Sequence, residues 1–256
     1  MAEVNKIYNE DCLKTLERLP PCSIDLLLQD PPFGCTQNKW DIKPDLIKMW
    51  KYWDWVIKDN GAMLFFGTQP FTSELILSNL KNFRYDLIWS KPLGSGHLNA
   101  NRMPMRNHEH ILVFYKKTPI YNPIMGVGTN KKGVRKADRN GSNYGKFAVN
   151  KDKYFDDKGK RFPKSIIEIT NGDRTKENEH PTQKPLDLIR YLIKTYSNEG
   201  DTVFDGYMGS GTTAAACIIE KRNFIGSELN IGYYNIANNR IKQLLKTPEL
   251  ELKWQK

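Results

Sequence analysis

Asp30-Pro31-Pro32-Phe33 closes the apolar run Ile24-Asp25-Leu26-Leu27-Leu28-Gln29. A short apolar run bounded by prolines reads as a buried strand that stops abruptly. In an open α/β sheet, ligands sit just beyond the carboxyl ends of strands, so a carboxylate there is placed for chemistry. Asp30 supplies an acceptor, and Pro31, driven toward an extended conformation by Pro32, stiffens the turn and can hold its carbonyl beside that carboxylate. Phe33 adds a flat apolar face. Two fixed acceptors next to an aromatic plane suit a planar ring bearing an exocyclic amino group. On the tetrapeptide alone, a strand-ending proline turn with an incidental Asp explains these residues equally well.

A second cluster carries more. Thr202-Val203-Phe204 runs into Asp205-Gly206-Tyr207-Met208-Gly209-Ser210-Gly211-Thr212-Thr213, then a helix through Ile219, then the strand Asn223 to Gly226 closing on Glu228. Strand, glycine-rich turn, helix, strand and acid is the layout of a nucleotide-type cofactor site, with glycines letting the backbone approach the ligand. Glu228 stands where a carboxylate could take both hydroxyls of a ribose. The spacing is neither G-x-G-x-x-G nor a phosphate loop, and Asp205 puts a negative charge where a pyrophosphate would want none. S-adenosylmethionine, with a sulfonium, an α-ammonium and no phosphate, fits better; a glycine-rich turn with no ligand leaves these features unexplained. Asp11, at the end of a short strand-like piece, could reach a cofactor amino group or ribose, although a plain helix N-cap accounts for it too.

The elements around these turns alternate. Leu13, Leu16 and Leu19 have helical spacing, Asp45 to Lys58 looks helical and carries Trp50, Trp53 and Trp55, and Asn60-Gly61 reads as a turn into the strand Ala62 to Phe66. A helix from Pro70 to Leu80, strands at Phe83 to Trp89 and His110 to Tyr115, a helix from Leu186 to Tyr196 and a final helix from Tyr233 to Leu245 follow. That rhythm predicts an α/β fold, a mostly parallel sheet covered by helices on both faces. It breaks from Thr118 to Arg174, where Lys131, Lys132, Arg135, Lys136, Arg139, Lys158, Lys160 and Arg161 are interleaved with Tyr144, Phe147, Tyr154, Phe155 and Phe162. Basic residues with aromatics suit phosphate binding and base stacking, and a net charge of +10 over 256 residues favours a polyanionic partner. Cys12, Cys22, Cys35 and Cys217 have no zinc or C-x-x-C spacing, and with no signal peptide or long apolar span the chain reads as cytoplasmic with reduced thiols.

Taken together, Asp30-Pro31-Pro32-Phe33, His180-Pro181-Thr182-Gln183-Lys184-Pro185 and the turn from Asp205 to Thr213 resemble the DNA amino-methyltransferases that modify adenine N6 or cytosine N4, in the β-type permuted order. The resemblance implies a single Rossmann-like methyltransferase domain with its catalytic half in 1–117, an inserted target-recognition region in 118–174 and its cofactor half in 175–256. It implies a catalytic turn of Asp30, Pro31, Pro32 and Phe33. For S-adenosylmethionine it implies Asp205, Gly206, Gly209, Ser210 and Gly211 at the methionine end, Thr212 and Thr213 opening the helix, Glu228 at the ribose and Asp11 with Cys12 at the adenine. Asp30 would border the same site, Thr182 and Lys184 would help bind the methionine carboxylate, and Lys91 would line the pocket. The implied partner is double-stranded DNA, with no metal or membrane; a homodimer, using the helix of Trp50 to Trp55, is compatible with the family. Asp205 at the head of the turn, as opposed to Ser, leans toward adenine over cytosine. One departure stands out: the family usually has Pro after this Asp, and Gly206-Tyr207 here would loosen the turn. RNA or protein-amide methylation and a catalytically dead DNA-binding regulator are the competing readings.

Overall fold

Leu26, Leu27 and Leu28 are all fully buried, so their strand is covered on both faces. It lies in a computed structural model that describes residues 2–35, 38, 41–135, 153–170 and 183–246. Thr182 of the expected cofactor site, with His180 and Pro181, lies outside the described residues, as do Lys136, Arg139, Tyr144 and Phe147 of the basic stretch.

The first half of the chain gives β1 (Lys6–Tyr8), α1 (Cys12–Glu17), β2 (Ile24–Gln29), α2 (Leu46–Val56), β3 (Ile57–Gly67), α3 (Phe71–Ser78), β4 (Phe83–Ser95) and β5 (Arg106–Phe114). Four short strands follow, β6 (Gly126–Val127), β7 (Lys132–Arg135), β8 (Lys153–Asp156) and β9 (Lys160–Arg161). The second half contributes β10 (Ile166–Glu168), α4 (Leu186–Tyr196), β11 (Thr202–Asp205), α5 (Thr212–Ile219), β12 (Asn223–Ser227) and α6 (Ile231–Lys246). Eight strands form one sheet in the order β1-β12-β11-β2-β3-β5-β4-β10, parallel except for β5, which runs antiparallel to both neighbours. The mostly parallel α/β sheet expected from the alternating pattern is what forms.

Each face has its own apolar layer. Leu27, Met63 and Phe65 pack with α1, α2 and α3 through Leu16, Trp50, Trp53 and Phe71. Leu26, Leu28, Leu64 and Phe66 pack with α4, α5 and α6 through Leu192, Ala216 and Ala237. Trp50 and Trp53 are therefore core residues, whereas Trp55 and Ile47 on the same helix face solvent at 54% and 76% exposure. After β2 the chain turns to the first helical layer and after β11 to the second. These adjacent strands form the switch point, where an open α/β sheet leaves a crevice at its carboxyl edge.

Two elements differ from the sequence reading. Asn60-Gly61 falls inside β3, not before it: the pairing with β2 jumps from Ile24↔Ile57 to Leu26↔Ala62, a bulge that takes in Lys58 to Gly61, where a side chain at 61 would sit 2.6 Å from Ile57 Cδ1 and 2.8 Å from the Asp25 carbonyl. Ile166, Ile167 and Glu168, within the basic stretch, add a parallel edge strand to β4. The chain divides into two compact units, Met1–Asn122 with Ser165–Lys256, and Pro123–Lys164. The smaller unit holds two antiparallel ribbons, β6 with β9 and β7 with β8. Asp157 pins it by accepting from the Lys131 and Gly159 amides (2.8 and 3.0 Å) and pairing with Arg161 at 2.5 Å.

Candidate active site

The carboxyl ends of β2 and β11 are stitched together by one buried side chain. Gln29 Nε2 donates to the Phe204 carbonyl at 2.8 Å, and its Oε1 accepts from the Gly206 amide at 3.1 Å. A proline at 206 would have no N–H to give, and a Cβ there would lie 2.9 Å from Cys12 Cβ and 3.0 Å from Gln29 Oε1. The expectation that Gly206 loosens the turn is therefore corrected. Glycine is what allows the turn to be tied to the neighbouring strand, by a bond worth about 1 kcal/mol.

Asp205 is 4% exposed. Its Oδ1 accepts from the Tyr207 amide (2.9 Å) and its Oδ2 from the Thr213 hydroxyl (2.6 Å). Burial pushes this carboxyl up to about 7 against those two bonds, with the negative charges of Asp30 and Glu228 adding to the rise. Glu228 accepts the Gly209 amide on Oε2 and the Asn230 amide on Oε1, both at 2.8 Å, and burial raises it as well. Ser210 Oγ donates to Gln183 Oε1 at 2.7 Å, which joins the glycine turn to the described end of the His180–Pro185 motif. Gly211 has φ +82°, and a side chain there would come within 2.9 Å of Ala237, so α6 packs directly on the turn. Thr212 Oγ1 accepts from Arg240 at 3.0 Å. Asp11 is the N-cap of α1, its Oδ1 accepting from the Leu13 amide at 2.9 Å, while it also lines the crevice. Cys12 shares a hydrogen bond with the Tyr207 hydroxyl, and burial pushes its thiol up to about 11, far from nucleophilic.

Asp30 follows the neighbouring strand β2, close enough for its charge to act on Asp205. Its Oδ2 accepts from Lys184 Nζ at 2.5 Å; among the described residues no donor engages Oδ1. Lys184 is 10% exposed, sits 5.0 Å over the Phe66 ring and reaches Glu109 Oε2 at 3.4 Å. Glu109 in turn pairs through Oε1 with Lys91. The result is a line of alternating charge, Asp30–Lys184–Glu109–Lys91. Burial pushes Asp30 up and Lys184 opposes that rise. Burial would raise Glu109 too, but Lys184 and Lys91 outweigh it and hold it below the ordinary carboxylate value. Lys184 itself is held above the ordinary lysine value: burial disfavours its charge, and Asp30 and Glu109 more than restore it.

The Asp-Pro-Pro-Phe turn is fixed from behind. Asp41, 8% exposed, accepts the Gly34 amide on Oδ1 and the Cys35 amide on Oδ2, each at 2.8 Å. Phe33 stacks on Phe71 with centroids 5.5 Å apart and planes at 27°.

One crevice of about 920 Å³ is lined by Asp30 to Phe33, by Asp11 and Cys12, by Lys184, by Asp205 to Ser210 with Thr212 and Thr213, and by Glu228. The described site residues expected from the sequence thus converge on it, except Gly211, which backs the turn against α6, and Lys91, which does not line the crevice but pairs with Glu109. That volume suits a drug-sized ligand, and three inward-facing carboxyls with raised pKa favour a cationic one. Sequence reasoning missed Glu109, Gln29, Gln183 and Asp41. Glu109 had a usable signal, a lone acid entering an apolar strand, which burial tolerates only with a partner.

A sequence model of the family described as DNA methylase matches residues 24–239. The Type II methyltransferase M1.MboII of Moraxella bovis is 29% identical over 265 residues, spanning 95% of this chain and 99% of the relative. The DNA adenine methyltransferase YhdJ of Escherichia coli K12 is 27% identical over 93% of this chain and 83% of its own. Among solved structures, the M1.HpyAVI–SAM complex superposes with a TM-score of 0.62 at 23% identity, covering 92% of this chain and 98% of that one.

Proposed function

The chain belongs to the DNA methylase family that acts on adenine N6 or cytosine N4, and from that premise we propose that it methylates the N6 amino group of adenine in duplex DNA. It is a DNA methyltransferase that uses S-adenosylmethionine. The observation carrying the reading is that the Asp30 turn and the Asp205–Ser210 turn, at the ends of the adjacent strands β2 and β11, line one crevice. Asp205 heading the glycine turn, and the adenine methyltransferase among the relatives, support adenine; cytosine N4 is the alternative within the same family.

S-adenosylmethionine supplies an electrophilic methyl group when bound. Asp205 and the Gly209–Ser210 backbone would hold its cationic end, Glu228 its ribose and Asp11 with Cys12 its adenine. Asp30 Oδ1 and the Pro31 carbonyl would accept the two N–H groups of the target amine. That steers the nitrogen toward tetrahedral geometry and aims its lone pair, a gain from orientation and fixed electrostatics. The amine proton becomes acidic as the new N–C bond forms, so Asp30 takes it without being a strong base beforehand. Lys184 favours the charged form of Asp30 against burial, and Glu109 opposes that effect. A base inside a duplex cannot reach this turn, so it must leave the stack, and Phe33, backed by Phe71, offers it a face. The smaller unit, which carries Lys131, Lys158 and Arg161 and exposes Val127, Tyr154 and Phe162, would contribute to target recognition.

The test is methyl transfer from labelled S-adenosylmethionine into unmethylated duplex DNA, followed by nucleoside analysis. N6-methyladenine is expected. N4-methylcytosine would keep the chemistry and overturn the base; label appearing in RNA or protein alone would overturn the substrate.

A further inference from the structure

β4 and β5 extend past the sheet as a hairpin arm. β3 and β4 are both antiparallel to β5, and β3 is parallel to β2, so β4 ends at the carboxyl edge that carries Asp30, Asp205 and Glu228. Extra residues on β4 between the Ser90↔His108 and Ser95↔Arg106 pairs form a bulge, the device by which strands re-aim a side chain. Lys91 lies in it and pairs with Glu109 on β5, so the base of the arm is wired through Lys184 to Asp30.

Beyond the bulge the arm is open to solvent. Leu98 is 99% exposed, Met103 57%, Leu93 64% and Met105 42%. From Ser90 to His108 there is no acidic residue, and while Lys91 is engaged by Glu109, Arg102 and Arg106 are cationic and His97 and His108 add further donors. Apolar side chains presented together and rimmed by one sign of charge mark an interaction site, and an acid-free rim points to a polyanion. The arm is continuous with the edge at which a target base must arrive.

We infer that the β4–β5 arm is a DNA-contacting element distinct from the 118–174 stretch, with Leu98 and Met103 as an apolar wedge in the base stack and Arg102 and Arg106 on the flanking phosphates. This rests on the DNA reading above. Taking a base out of the duplex costs a few kcal/mol of stacking and pairing, and apolar wedges inserted at the disrupted step offset that loss. Leu98, at the tip and with almost no contact to its own chain, is the residue free to do so.

The experiment uses the full chain and a duplex carrying the site mapped by methylation. For Leu98→Ser with Met103→Ser, kcat/KM on the matched duplex should fall about tenfold or more, with S-adenosylmethionine affinity and thermal midpoint unchanged. A mismatch at the target base, which lowers the cost of flipping, should restore the variant to within about threefold of wild type. For Arg102→Ala with Arg106→Ala, the slope of log DNA affinity against log salt should shrink by roughly two. Wild-type kcat/KM in the wedge variant, a loss that the mismatch does not rescue, or an unchanged salt slope overturns the proposal. Wild-type protein that methylates no DNA would instead overturn the functional reading beneath it, and shows itself before any variant is made.

Discussion

Cofactor affinity should rise with pH across neutrality, and the cause is Asp205. Its carboxyl, pushed up to about 7 by burial, is about nine-tenths protonated at pH 6 and about nine-tenths ionised at pH 8. A cationic ligand end favours the ionised form, so binding must expel the proton where one is present. The apparent Kd for S-adenosylmethionine should therefore tighten about tenfold between pH 6 and pH 8, about 1.4 kcal/mol, and level off above. Asp30 and Glu228, also raised by burial, act in the same direction, so a variant must isolate Asp205. Thr213→Val does this by removing the 2.6 Å hydroxyl bond that favours the charged carboxylate. Losing a hydrogen bond to a charged group, about 1.5–3 kcal/mol, should move the transition up by about one to two pH units and weaken binding at pH 7. Calorimetry in buffers of different ionisation enthalpy reads the linked proton directly: about half a proton released at pH 7 by wild type, more at pH 6. A wild-type Kd that is flat from pH 6 to 8 with no proton release, or a Thr213→Val profile that overlays wild type, would refute the reasoning.

Stability of the cofactor-free protein should move oppositely. Because the folded-state pKa of Asp205 lies above its unfolded value, the unfolded chain binds fewer protons between about pH 4 and pH 7. This residue's contribution therefore declines as pH rises through that window, and thermal midpoints measured with and without S-adenosylmethionine should diverge toward pH 8. Asp30→Ala should lower methyl transfer at least about a hundredfold while cofactor still binds; normal turnover in that variant would sink the catalytic assignment. Lys184→Met should shift the acid limb of the kcat profile upward, since Asp30 loses the cation that holds it down, and Glu109→Gln should shift it downward. A rise in KM for S-adenosylmethionine with kcat untouched would instead place Lys184 on the methionine carboxylate. Gly206→Ala should cost about 1–3 kcal/mol by overpacking against Cys12 and Gln29, read as a lower midpoint in denaturant unfolding.

Much of this molecule is written locally. The apolar run from Ile24 to Gln29 stopped by two prolines, and the strand, glycine turn and helix from Thr202 to Ile219, are signals carried by neighbouring residues. Periodicity, turn chemistry and charge at a strand end therefore made the α/β sheet and the cofactor of the glycine turn readable, while the Asp30 turn drew its expected role from the order of the three motifs. Lys184, Asp205 and Glu228 were legible for the same reason, as parts of short motifs with a characteristic order.

Partners far apart in sequence were decided by the strand order alone. Gln29 meets Phe204 and Gly206 only because β2 and β11 are neighbours at the switch point, and that contact, 175 or more residues away along the chain, is what makes glycine fit where the family usually has proline. Glu109 reaches Lys184 because antiparallel β5 brings an acid back to the carboxyl edge. Lys184 itself pairs with Asp30, 154 residues away, and Glu109 adds a second carboxylate to that lysine. Buried charges are placed by whatever folds against them, and no local pattern encodes it.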